Sequence, residues 1–196
     1  MAFGSSCVWL TGLWILVYGG ANWITSLHSY RIRLHFELER SFPFVPATAV
    51  IYLSLFPMLW LAPIVMQTAE RLNRFAKALA CLMILSGIGF LLLPAEQVHS
   101  PETPDGLIGR VFQLADSINL THNYLPSLHV GMGVLCAFAY GRCNLPRAIT
   151  LLFWSWAVAI AASTLLLHQH YLVDVVTGGL LGWIVARAVC GKRGQL

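Results

Sequence analysis

The chain has 196 residues, 58% of them hydrophobic and only 10% charged, and its mean hydropathy is +0.71. Soluble domains carry about 25% charged residues, so this composition excludes an ordinary water-soluble globule and indicates an integral membrane protein. Twelve Lys and Arg against eight Asp and Glu leave a net charge of +4, too small and too scattered for a nucleic-acid partner. The five Cys lack the paired spacing of a disulfide framework or zinc ribbon. At this length one domain, residues 1–196, is expected.

A membrane-crossing helix needs about 20 mostly apolar residues to span about 30 Å of hydrocarbon. Six windows reach or approach that length: residues 7–26, 45–66, 77–94, 127–143, 147–167 and 172–190. The first lacks a basic leader and a small-residue cleavage site, so it is read as a span and not as a signal peptide. Between the first two windows, Ile32, Leu34, Phe36 and Leu38 alternate with Arg31, Arg33, His35 and Glu37. Period two is a strand signal. A lone strand between membrane helices has no partner, so a short segment along the bilayer surface is expected, with Glu39 and Arg40 as an interfacial ion pair. The fourth window is the shortest. The predicted fold is therefore all-α: a six-transmembrane-helix bundle.

An even number of spans places both termini on one side with the second–third and fourth–fifth loops. That side carries Arg71, Arg74, Lys77, Arg142, Arg147, Arg187, Lys192 and Arg193, against Arg31, Arg33, Arg40 and Arg110 on the other. The basic excess marks the cytoplasmic face. The long loop 95–126 and the short turn 168–171 then face the periplasm, exterior or lumen.

Ionisable groups inside membrane spans are costly and point to function. Asp174 is the one acidic residue within the six windows, and it follows His170 by four positions. On a helix that spacing brings carboxylate and imidazole together. A carboxylate on one ring nitrogen leaves the other as nucleophile or base. His129 opens the fourth window, which the six-span count puts at the same membrane face as His170. Pro126 and Ser127 read as a helix start, and such a start suits a phosphate oxygen. Two imidazoles, an orienting carboxylate and an anion-friendly helix start fit phosphoryl transfer through one histidine, with the other protonating the leaving oxygen.

Two motifs carry a resemblance. Pro126-Ser127-Leu128-His129 resembles the Pro-Ser-Gly-His motif of the type-2 phosphatidate phosphatase superfamily. Ser163-Thr164, with His170 and Asp174 following, resembles its Ser-Arg-x5-His-x3-Asp motif. Residues 41–46, Ile51-Tyr52-Leu53-Ser54, Asn123 and the Gln169-His170-Tyr171 spelling are similar to its lipid phosphotransferase branch, which includes inositol phosphorylceramide synthases. The resemblance implies a six-span enzyme with His170 as nucleophile, Asp174 orienting it and His129 as acid. Ser127 and Ser163 would lie near the phosphate. Neither a metal nor an organic cofactor is implied, and the partner is a membrane lipid.

The departures are informative too. The superfamily's phosphatases carry Lys-x6-Arg-Pro ahead of the fourth span, where this chain reads Gln97-Val98-His99-Ser100-Pro101-Glu102. Thr164 replaces the motif Arg, and Leu128 replaces the Gly. A phosphomonoester needs more cationic donors than a diester, so these losses favour a phosphodiester headgroup, cleaved and passed to a lipid alcohol or to water. Arg110 and Asn123 are candidates for further phosphate contact, as are Thr164 and His168. With Arg110 as substitute cation, the chain would be a lipid phosphate or polyprenyl diphosphate phosphatase. His168 and His170 would hold a metal with His129 and Asp174 only if His168 lay in a turn. A non-catalytic lipid transporter would tolerate the same polar residues but leaves the His170–Asp174 pair without a purpose.

Overall fold

Irregularity is concentrated in two places along an otherwise helical chain. The computed structural model describes residues 3–96, 104–120 and 122–191, with backbone alone for 3–6. Helix α1 (Phe3–Trp14) runs through a π-helical turn (Ile15–Gly19) into α2 (Gly20–Ser26). Together with α6 (Ala69–Leu92), α9 (Arg147–Leu166) and α10 (Leu172–Cys190), this run supplies the four described helices long and apolar enough to cross a membrane. The stretch 97–102, where the basic motif is missing, lies outside the described residues, as do Lys192 and Arg193.

The second and fourth predicted spans differ from expectation. Residues 45–66 do not form one helix. They give a 3-10 turn (Pro46–Thr48) and then α3 (Ala49–Leu53), α4 (Leu55–Trp60) and α5 (Ala62–Met66). Pro57 and Pro63 account for the breaks, because proline donates no N–H and its ring crowds the carbonyl four residues back. The fourth, α8 (Leu128–Tyr140), has only 13 residues, about 20 Å of helix. It packs against α6, α9 and α10 and buries Leu128, Val130, Leu135, Cys136, Ala137 and Tyr140. It is the central helix of the core rather than a lipid-facing one.

Residues 30–36 are extended, and the strand signal there finds one partner. Ile32 bridges Ala95 beyond α6, with Ile32 N–H to the Pro94 carbonyl at 2.9 Å and Glu96 N–H to the Ile32 carbonyl at 3.0 Å. A 3-10 turn (Glu37–Ser41) follows. Arg40 pairs with Glu37 at 3.0 Å, not with Glu39, which is buried and used elsewhere. The loop after α6 holds an unanticipated helix, α7 (Gly106–Ile118). Its Phe112 and Ala115 pack against Ala49, Tyr52 and Leu167, while Leu107, Ile108 and Leu114 are exposed.

Helices α8 and α10 touch backbone to backbone. A Cβ added at Gly182 would stand 2.3 Å from the Gly131 carbonyl oxygen, and one at Gly178 would stand 2.3 Å from that of Ser127. Small residues four apart on one helix permit this close approach. Gly182→Val is expected to wedge the helices apart, lowering stability by about 1–3 kcal/mol as overpacked sites do. Thermal unfolding in detergent checks this. Gly179→Ala, whose added Cβ meets only side chains at 3.8 and 4.0 Å, is expected to unfold like the wild type.

Candidate active site

The start of α10 is built from carboxylates. Asp174 is fully buried, and its Oδ2 accepts the Tyr171 N–H at 2.9 Å. Glu39, from the 3-10 turn, accepts the Leu172 N–H with Oε1 and the Phe36 N–H with Oε2. Helix N-termini leave such N–H groups without intrahelical partners. His170 lies in the turn before α10 and not on the helix. Its Nδ1 is nevertheless 3.5 Å from Asp174 Oδ2, because the carboxylate folds back over the helix start. That is an ion-pair distance rather than a hydrogen bond.

The start of α8 lies beside it. Ser127 N–H donates to the Asp174 carbonyl at 3.0 Å, and Ser127 Oγ accepts the Val130 N–H at 3.4 Å as the helix cap. His129 is the second residue of α8. Its ring stacks on Tyr52 at 3.9 Å and 10°, with Phe56 edge-on at 6.1 Å. Tyr52 is itself held from behind. Its hydroxyl donates to Asn119 Oδ1 at 2.8 Å, Asn119 Nδ2 donates to Gln169 Oε1, and Gln169 Nε2 donates to Asp116 Oδ1 at 3.0 Å. One hydrogen-bonded chain therefore joins α7, the turn carrying His170 and the ring beneath His129.

His129 and His170 line a single cavity of about 40 Å³ with Trp14, Tyr18, Asn119 and Asn123. His129 Nε2 has no hydrogen-bond partner among the described residues. Asn123, on the loop before α8, donates from Nδ2 to the Tyr18 carbonyl at 2.7 Å. Tyr124 sets its ring edge-on to His170 at 5.9 Å and stacks on Tyr171 at the same distance. Burial pushes the Tyr124 phenol well above its ordinary pKa, so it stays protonated. Trp14, Phe56 and Met132 also line a second, larger cavity of about 350 Å³, an almost wholly apolar groove between α1, α4 and α6.

The remaining sequence-predicted residues lie away from this cavity. Ser163 Oγ donates to the Ile160 carbonyl at 2.7 Å and Thr164 Oγ1 to the Ala161 carbonyl at 2.8 Å, so both hydroxyls bond back to their own helix. Arg110 is exposed on α7 and does not line the cavity. His168 does lie in a turn, with φ of 55°. Its ring faces Phe44 at 5.5 Å and its Nε2 is 3.1 Å from the Phe42 carbonyl, in a small pocket that His170 also lines, with Glu39 and Tyr171. Among the described residues no group of His, Cys, Asp and Glu is arranged to hold a metal ion.

The family model described as the PAP2 superfamily matches residues 20–188. The chain belongs to the PAP2 superfamily. A 61-residue stretch, 31% of the chain, is 33% identical to an uncharacterized protein of Methanocaldococcus jannaschii and covers 24% of that protein. No solved structure matches. PAP2 membership supports a phosphatase- or phosphotransferase-type enzyme. Together with the four apolar helices it makes the chain a membrane protein.

Several residues that build this candidate site escaped the sequence reading of roles. Tyr52 and Gln169 were visible only as parts of similar spellings, and Tyr18 was one more aromatic residue in an apolar span. Glu39 gave the strongest missed signal, an acidic residue close to a membrane entry. Glu39→Leu is expected to leave the Leu172 N–H unpaired and lower stability by about 1–3 kcal/mol. Glu39→Gln retains an Oε1 acceptor and is expected to recover most of that loss. Chemical unfolding of the two variants in detergent checks both expectations.

Proposed function

We propose that this PAP2 chain is an integral-membrane enzyme that cleaves the phosphoester of a phospholipid headgroup through a phosphohistidine. The observation that carries the reading is the single cavity shared by His129 and His170, with Asp174 behind His170. His170 Nδ1 faces the carboxylate, which leaves Nε2 to attack phosphorus. The P–O bond breaks, and His129 Nε2 gives a proton to the departing alcohol oxygen. His129 then takes a proton from the incoming water or lipid alcohol, whose oxygen attacks phosphorus. The P–N bond breaks and its electron pair returns to His170.

Two further features bear on the substrate. The cavity lining contains no Lys or Arg among the described residues, which suits a singly charged phosphodiester better than a doubly charged monoester. The adjoining apolar groove supports a substrate with a hydrocarbon chain. The Gln169-His170-Tyr171 spelling favours the inositol phosphorylceramide synthase-like branch within the superfamily. In this reading the chain crosses the membrane six times, with α3–α5 and α8 as short crossings. The starts of α8 and α10 are bonded side by side, and the basic bias puts that level at the non-cytoplasmic face.

The test uses purified protein in mixed micelles with labelled phosphatidylinositol and labelled phosphatidate, and diacylglycerol and ceramide as acceptors. Turnover of the diester is expected, abolished in His170→Ala and reduced about 10²–10⁴-fold in His129→Ala. Release of phosphate from phosphatidate alone, lost in His170→Ala, would overturn the diester assignment and return the phosphatase reading. Full activity in His170→Ala would overturn the mechanism.

A further inference from the structure

Asn123 is almost wholly buried, 2% exposed, in the loop that leads into α8. Its amide orientation is fixed by its partner: the Tyr18 carbonyl only accepts, so the atom 2.7 Å from it is the nitrogen. The oxygen left over, Oδ1, is buried and has no hydrogen-bond partner among the described residues. A buried amide oxygen without a partner costs about 1–3 kcal/mol unless a ligand supplies a donor. Asn119, the other amide lining the cavity, has its Oδ1 bonded to Tyr52 and its Nδ2 to Gln169, so it has less left to offer a ligand.

The chemistry of an amide oxygen narrows the ligand. It accepts and never donates, so it repels the unprotonated oxygens of a phosphodiester. An ester oxygen carries no hydrogen either. What satisfies it is an O–H or N–H donor, and the discharge of the phosphohistidine brings one to the cavity, the O–H of the attacking nucleophile. His129 Nε2, unpartnered on the same cavity, must also accept a proton when the phosphohistidine is discharged. The attacking hydroxyl of an alcohol has one hydrogen for these two acceptors, whereas water has two.

We propose that Asn123 Oδ1 and His129 Nε2 together hold the water that discharges the phosphohistidine, and that Asn123 thereby favours hydrolysis over transfer. This rests on the phosphohistidine reading above. In the step, the water oxygen attacks phosphorus and the P–N bond to His170 breaks, returning its pair to the ring. One water hydrogen passes to His129 Nε2, and the other, bonded to Asn123, stays on the product. The cavity's volume of about 40 Å³ exceeds the roughly 10–15 Å³ that one water requires.

The experiment measures how a common phosphoenzyme divides between water and an added alcohol. Wild-type protein in mixed micelles is given phosphorus-labelled phosphatidylinositol, or phosphatidate if that is the lipid turned over, in the presence of methanol. The hydrolysis product and the methyl ester are resolved, and acid-labile label on the protein is counted. Both products arise from one intermediate, so their ratio is independent of how much of a variant folds. In Asn123→Leu the ratio is expected to shift toward the methyl ester by about 3–10-fold, the scale of one neutral hydrogen bond. Asn123→Ala tests the same point with a smaller side chain should the leucine variant not fold. Asn123→Asp, which retains an acceptor oxygen while losing the bond to the Tyr18 carbonyl, is expected to keep the wild-type ratio.

A merely structural role, tying the loop to Tyr18, would lower both products together and leave the ratio unchanged. That result would overturn the proposal and spare the mechanism. Absence of labelled phosphohistidine from the wild type would overturn the mechanism, and the role of Asn123 with it.

Discussion

The contact on which the rest of the site depends is the backbone approach of α8 to α10. Two glycines on α10 face carbonyls of Ser127 and Gly131 with no room for a Cβ. Where the helices begin, the Ser127 N–H bonds the Asp174 carbonyl. Two histidines far apart in sequence thus line one cavity beside a rigid backbone contact. Catalytic geometry tolerates displacements of only about 0.5 Å. A backbone hydrogen bond beside the reacting groups is one of the few devices stiff enough to hold that tolerance.

The apolar surroundings then sort the polar groups. Within a low-dielectric interior, a hydroxyl lacking a partner is costly, and Ser and Thr on helices can bond their own preceding carbonyls. Ser163 and Thr164 do so, and Ser127 caps its helix. The imidazole of His129 and the carboxamide of Asn123 are held by other means, a stacked ring and a carbonyl from the π-helical turn, and each keeps one atom unpaired. Both residues line the cavity, whereas Ser127 and Ser163 do not.

Legibility in the sequence followed interaction range. The His170–Asp174 pairing and the Ser127 cap depend on residues within four positions of one another, and local spacing revealed both. Even so, the pair is made by a carboxylate folding over a helix start and not along a helix face, since the helix begins two residues after His170. The broken second segment was written in Pro57 and Pro63, although the hydropathy of the window concealed it. The stacking of Tyr52 on His129 and the bond from Asn119 to Gln169 link positions about 50 or more residues apart. A single sequence carries no periodicity that reports them. Helix α7 was overlooked because its apolar face covers only one side, inside a loop long enough to read as irregular.

The irregular backbone is not scattered at random along these helices. The π-helical turn of the first segment carries Tyr18, whose carbonyl holds Asn123. The short helices between Pro46 and Met66 carry Tyr52 and Phe56, which frame His129. Within a membrane protein, backbone that departs from a continuous helix persists where protein covers it or where it lines a cavity. The break after α4 is treated in that way: the Tyr140 hydroxyl donates to the Met58 carbonyl at 2.7 Å. The break after α3 is covered likewise, with Trp156 Nε1 donating to Ser54 Oγ at 2.7 Å. The long helices α6, α9 and α10 line none of the cavity, whose walls come from the interrupted segments together with α8, the end of α7 and the segments leading into α8 and α10. Phe56, carried on one of these short helices, lines both the cavity and the apolar groove beside it.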